Sequence, residues 1–198
     1  MPPVLTRAER QQRTRKELVD AAERLFSGQG FHATSIDAVA AEAGFTKGAI
    51  YSNFESKEDL FFAVYERRVD RRVEEMEGVL HAADNGTEAF EGMVPGRRSS
   101  EDGWLAVFFE FWAHVLRHPE LKQRFADQHR RVIEPLAAAV ERFEVEQPED
   151  PYKVATAGFA LQLGLQLERL TQPDVVDPDF GRRMGRRFMD GGSDGLPR

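Results

Sequence analysis

The stretch SIDAVAAEAGFTKGAIYSNF, residues 35–54, decides the fold. Ala40 is small where a second helix must cross close above a first, and Gly44 follows four residues later, where a tight turn needs positive φ. Val39, Ala43, Phe45 and Ile50 are the apolar positions that lock two short helices, expected at 35–43 and 46–53, at a steep angle. Thr46 stands where it would cap the second helix and turn that helix's N-terminal amides toward a phosphate. Lys47, Ala49, Ser52 and Asn53 are left pointing outward. Taken alone, the Ala-x3-Gly-x5-Ile spacing also fits an ordinary αα-hairpin.

Upstream, Thr6 and Glu9 form a capping box that opens a first helix. Its apolar positions Leu18, Ala21, Ala22 and Leu25 repeat at helical spacing, and Gly28 and Gly30 end it. Downstream, Ser56 and Asp59 start a long helix over about 56–80 with the stripe Phe62, Tyr65, Val69, Val73, Met76, Leu80. Residues 81–103 are polar and Gly-rich, a linker with room for one short helix from Thr87. Long helical patterns follow at 101–117, 119–146 and 151–171, with Pro135 expected to kink the second without ending it. A short helix at about 178–190 precedes a tail, 191–198, expected to be disordered. No segment alternates as a strand would. The fold class is all-α.

Composition removes whole classes of function. The 198 residues are 41% hydrophobic and 31% charged, enough to bury a core. With no cysteine there is no disulfide framework, thiolate zinc site or cysteine nucleophile. The N-terminus lacks the apolar run of a secretory signal, and the most apolar stretch, 104–116, is short of the about 20 residues that span a bilayer. A soluble, cytoplasmic protein without membrane partners is expected. Net charge is −7, but residues 1–57 carry +1 and the remainder −8. A locally basic end on an acidic body suits a protein that touches a polyanion with one face.

The surroundings of the 35–54 motif strengthen it. Thr34–Ser35, Ile36-x2-Val39-Ala40, Ala43–Gly44, Thr46–Lys47–Gly48, Tyr51-x2-Phe54 and Ser56–Lys57–Glu58-x-Leu60 together resemble the TetR family of bacterial transcription regulators over roughly residues 12–72. The resemblance implies an N-terminal three-helix DNA-binding domain at 12–72 and a C-terminal helical-bundle domain at 73–190 for effector binding and dimerisation. It makes Thr34 and Ser35 a phosphate-touching cap, and Thr46, Lys47, Gly48 and Ala49 the start of the recognition helix in the major groove. Tyr51 is similar to a tyrosine that hydrogen-bonds phosphate, and Lys57 to a lysine that contacts phosphate at the next helix start. Ser52 faces the same way, while Asn53 departs from the aromatic or histidine common there and its role stays open. Gly48 also admits a reading as close packing.

Trp104, Phe108, Phe111 and Trp112 put aromatic side chains on one broad face of 101–117. Simple core accounts for most of them, and an aromatic-lined effector pocket, with Glu110 or His114 as its polar contact, is the functional reading. Glu110, His114 and His118 at i, i+4, i+8 have metal-ligand spacing, but His118 precedes Pro119 and no third helix supplies a partner. No metal or other cofactor is expected. Gly191–Gly192–Ser193–Asp194–Gly195 fits a hydrolase G-x-S-x-G pattern without the strand and helix that motif requires. The two apolar stripes of 151–171, containing Leu161 and Leu165 on one side and Phe159 and Leu163 on the other, point to a dimer interface joined by Phe180, Met184 and Phe188. The expectation is a homodimeric, non-enzymatic regulator that binds double-stranded DNA at a palindromic operator and leaves it when a small apolar or planar effector binds. The rivals are a ligand-independent activator or global regulator of the same fold, and a small all-α enzyme using Glu110 and His114.

Overall fold

The computed structural model describes residues 6–86, 88–89, 99–143, 149–177, 180 and 183–184. Among these the helices are α1 (Arg7–Gln29), α2 (Ile36–Glu42), α3 (Lys47–Tyr51), α4 (Lys57–Ala82), α5 (Ser99–Arg117), α6 (Pro119–Arg142) and α7 (Pro151–Thr171), with no strand. The expected tail at 191–198 and most of the expected helix at 178–190 lie outside the described residues.

Local chemistry explains the boundaries. The Thr6 hydroxyl accepts from the Glu9 amide at 3.2 Å while the Glu9 carboxylate accepts from the Thr6 amide at 2.6 Å, so α1 opens on a reciprocal cap. It runs through Gly28 and stops at Gly30, whose φ of +87° ends the helix. Gly44, at φ +73°, makes the turn between α2 and α3. Ser56 accepts from the Asp59 amide at 3.1 Å and opens α4. Pro135 lies inside α6 without ending it, and α6 stops at Arg142, short of the expected 146.

The chain divides into two compact units. The first gathers residues 1–68 with 99–125, so that α5 and the start of α6 pack with the N-terminal helices. Its core is aromatic. Phe31 is 1% exposed and meets Phe61 and Phe111 edge-on at 5.5 and 5.0 Å, and Phe61 stacks on Phe111 at 3.9 Å. Phe26, Phe62 and Tyr65 extend the cluster. Ion pairs rim it: Arg67 bridges Asp20 and Glu23 of α1, and Arg124 of α6 reaches Asp59 and Glu66 of α4 at 2.8 and 2.9 Å. The second unit, 69–98 with 126–198, holds the later turns of α4 and α6 together with α7. Within it Arg131 pairs with Asp70, and the His129 ring meets Phe159 edge-on at 5.2 Å.

Gly103 marks a close approach of α5 to α1: a Cβ there would collide with the backbone carbonyl oxygen of Ser27 in α1. Gly103→Ala should therefore lower unfolding free energy by about 1–3 kcal/mol, although alanine is the better helix former. Urea denaturation checks this. A midpoint equal to or above that of the wild type would show that α1 and α5 tolerate a wider spacing.

Candidate nucleic-acid interface

Residues 35–51 fold as two short helices about a glycine turn. The Ser35 hydroxyl accepts from the Ala38 amide at 3.1 Å and caps α2. Val39, Ala40 and Ile50 are buried beneath the crossing, with Phe54 closing its far side. Arg24 of α1 pairs with Glu42 at 3.0 Å, and the Arg15 guanidinium lies 4.4 Å over the Phe54 ring. The motif is thus bolted to α1 at two places. Its outer surface presents Ser35, Thr46, Lys47, Gly48, Tyr51 and Ser52, all exposed, with Ala49 half-buried beside them.

Several side chains differ from the sequence expectation. Thr46 precedes α3 but its hydroxyl does not cap it, because the Ala49 amide is taken by the Thr46 carbonyl at 2.9 Å. Thr34 is 1% exposed, and its hydroxyl donates to the Gly30 carbonyl at 2.7 Å while accepting from Gln29. A side chain so enclosed is not placed to touch a phosphate, in contrast to exposed Ser35. Lys57 is also engaged inside the protein: its ammonium donates to the carbonyls of Phe31, Thr34 and His32 at 3.0, 3.3 and 3.4 Å and sits 4.4 Å over the Phe31 ring. Asn53 donates to the Ala49 carbonyl at 2.8 Å and closes the end of α3.

Lys47 pairs with Asp37, the second residue of α2, at 3.0 Å, and this hydrogen-bonded ion pair raises the ammonium pKa above its ordinary value. Asp37 lies outside the outward-facing set that the sequence pattern marks. The signal was there in the opposite charges that open two consecutive short helices.

The residues expected to line an effector pocket sit in the first unit. Phe108 and Phe111 are buried in the aromatic cluster. Trp104 stacks on Phe61 at 5.5 Å beneath the Arg68 guanidinium, and Trp112 packs on Phe108 and Phe125. Glu110 reaches back to the turn after α1, where its two oxygens accept the amides of Phe31 and His32, each at 2.8 Å. The His114 ring stacks on His118 at 3.9 Å, faces His32 at 5.5 Å, and brings Nε2 to 3.5 Å from the Glu58 carboxylate. Among the described residues no group of His, Asp and Glu has metal-binding geometry. In the second unit Phe159, Leu161, Leu163, Leu165, Phe180 and Met184 are all half-buried, and Leu167 and Leu170 are exposed.

A recognition-type pair of helices with an exposed, partly basic outer surface defines a helix-turn-helix DNA-binding protein. Comparison with known proteins gives its family. Residues 18–64 match the family model of bacterial regulatory proteins of the tetR family, and residues 82–192 match that of the BetI-type transcriptional repressor C-terminal domain. The chain belongs to the TetR family, and it is a DNA-binding transcriptional regulator. It is 26% identical to the HTH-type transcriptional regulator UidR of Escherichia coli (strain K12) over 189 residues, covering 91% of this chain and 93% of that one. Its fold resembles that of a transcriptional regulator from Saccharomonospora viridis solved in complex with choline (TM-score 0.75, 22% identity, 94% and 100% of the two chains). It likewise resembles FadR from Bacillus subtilis solved in complex with stearoyl-CoA (TM-score 0.65, 17% identity, 92% and 99%). Among the described residues no helix is long and apolar enough to cross a membrane.

Desolvation, then the neighbouring His118 ring, hold the His114 imidazole below its ordinary pKa; Glu58 opposes them, and His32 and Lys57 add to the lowering. A histidine depressed in the folded state binds fewer protons there than in the unfolded chain. Its contribution is complete above the unfolded value of about 6.5 and is lost as pH falls below it. Thermal unfolding between pH 7.5 and 5.5 should show a falling midpoint, and His114→Gln should flatten the slope. An unchanged slope in the variant would remove His114 from this role. Half-buried His129, shifted the same way by desolvation, supplies the residual slope.

Proposed function

We propose that the protein is a homodimeric repressor whose two recognition helices enter successive major grooves of a palindromic operator and which a small apolar or planar effector releases. The observation that carries the dimer is α7: past buried Val154 and Ala155, the apolar positions Phe159, Leu161, Leu163 and Leu165 on both of its sides all keep part of their surface exposed. A second copy of the same helix is the natural cover, giving a two-fold axis that a palindrome mirrors. Residues 12–72 then serve DNA and 73–190 serve assembly and effector. Ser35, Thr46, Lys47, Tyr51 and Ser52 contact backbone and base edges, with Gly48 and Ala49 as the surface that lies closest to DNA. Lys57 and Thr34 support this face from behind.

Gly48 supports that reading in a specific way. A Cβ added there would meet only the Thr46 hydroxyl, at an ordinary 3.7 Å. The fold therefore has no need of a glycine, and close approach of DNA gives it one. The effector part is supported by the similar structures solved with choline and with stearoyl-CoA, and by the half-buried Trp104 and Trp112 rings. One observation favours the ligand-independent rival. Phe108 and Phe111 are buried against other aromatic rings and Glu110 is engaged with backbone amides, which leaves those three little to offer a ligand.

Gly48→Ala and Tyr51→Phe should both keep the wild-type unfolding midpoint and weaken binding to a duplex enriched by the protein from a randomised pool. Tyr51 is 54% exposed and uncharged, so Tyr51→Phe should leave the salt dependence as it is, whereas Lys47→Ala should flatten it by about one unit. Wild-type affinity in both variants would place the DNA contacts elsewhere.

Leu161→Arg should convert a sedimenting dimer to a monomer or an unfolded chain, since an unpaired charge in an apolar interface costs several kcal/mol. A monomeric wild type at micromolar concentration would contradict the assembly. Compounds that quench the two tryptophans and release the enriched duplex would establish the effector. A broad apolar and planar panel that did neither would favour the ligand-independent rival.

A further inference from the structure

The turn between α1 and α2 is held from two sides by two helices. Its amides at Phe31 and His32 are taken by the Glu110 carboxylate of α5 at 2.8 Å each. Its carbonyls at Phe31, His32 and Thr34 are taken by the Lys57 ammonium of α4. Both polar sides of the same short run of peptides are therefore bound by opposite charges. Gly30 makes the acid's approach feasible, because a Cβ there would stand 2.6 Å from the Glu110 carboxylate. The run leads directly into Ser35, the cap of α2, and Thr34 bonds back to Gly30 at its end. Burial of Val39 and Ala40, the Arg15–Phe54 contact and the exposed Arg24–Glu42 pair also hold the helix-turn-helix to α1, but among the described residues only Glu110 and Lys57 bind the connecting peptides from outside α1 and α2 with a charge.

We propose that Glu110 is a positioning residue for DNA binding: its carboxylate sets the turn at 30–34, and through it the pitch of α2 and α3 against α1. Charge-assisted bonds to two successive amides constrain direction as well as distance, since both oxygens must be met at once. A shift or rotation of α5 must then either carry the turn with it or break both bonds. Glu110 touches no DNA in this arrangement. It acts by deciding whether α3 is presented at the angle the groove requires. The inference rests on the DNA-binding role alone and holds equally for a repressor and for an activator.

The test uses the full chain and the duplex enriched by the wild type from a randomised pool. Glu110→Gln leaves one acceptor and turns an amide group toward a backbone N–H, so it should weaken duplex binding about ten-fold or more. Val115→Ala, in the same helix, buried and without a hydrogen bond from its side chain to the turn, serves as a control for lost stability and should bind within about two-fold of wild type even at an equal loss in unfolding midpoint. Equal losses in the two variants, or near wild-type binding by Glu110→Gln, would overturn the assignment. A measurement on the wild type covers the case in which Glu110→Gln does not fold. Coupling is reciprocal, so the duplex should slow amide exchange in the peptide spanning residues 27–34. Unchanged exchange in that peptide on duplex binding would overturn the proposal whatever the variants do.

Discussion

Phe31 is the side chain on which the DNA-binding unit closes. It follows the glycine that ends α1, and its ring is met by Phe26 from α1, Phe61 from α4 and Phe111 from α5, with Lys57 over its face. Full burial of such a ring favours folding by roughly 1.5–3 kcal/mol, with more from the edge-on partners. Its consequence for organisation is larger than its energy. Because the ring is fixed, its own peptide group lies within reach of both Glu110 and Lys57, and the turn needs no other anchor. A polar side chain at 31 would remove the edge-on partner of Phe111 and leave that end of α5 to Phe61 and Phe62.

This arrangement places α5 in two descriptions at once. By sequence family it belongs to the C-terminal part, residues 82–192. By packing it belongs with α1–α4, because its aromatic face completes their core. A division drawn along the chain therefore does not follow the division of the core. The helix that resembles a ligand-domain element in sequence is, in three dimensions, one wall of the DNA-binding unit.

What was legible in the sequence was local. Caps at Thr6, Ser35 and Ser56, the glycines at 30 and 44, and the 3.6-residue stripes depend on neighbours a few positions away, and they placed every described helix to within a few residues. The roles that shifted depend on how a turn folds back on itself or on distant partners. Thr34 looks like a surface cap until Gly30 and Gln29 enclose it. Lys57 looks like a phosphate contact until three carbonyls from a turn some twenty-five positions earlier surround its ammonium. Glu110, on an aromatic helix, gives no local sign that its carboxylate will meet two amides 78 and 79 positions upstream. Periodicity reports which face of a helix is apolar, and it is silent on what a polar exception to that face will bond.

The Lys47–Asp37 pair bears on how such a surface discriminates among DNA sequences. Both side chains are exposed, so the pair adds little to stability and is easily exchanged. In the proposed complex a phosphate would take Lys47 from Asp37, and the carboxylate would remain beside the backbone it repels. Residues 1–57 carry a net charge of only +1, so attraction for arbitrary DNA is small to begin with. Asp37 makes it smaller. Backbone contacts alone then position the helix-turn-helix weakly, and close fit of Gly48 and Ala49 with hydrogen bonds to base edges must supply most of the difference between an operator and any other site. A surface built this way gives up affinity for DNA in general in order to retain selectivity. That choice is consistent with a chain that is acidic overall and locally basic where its first helix begins.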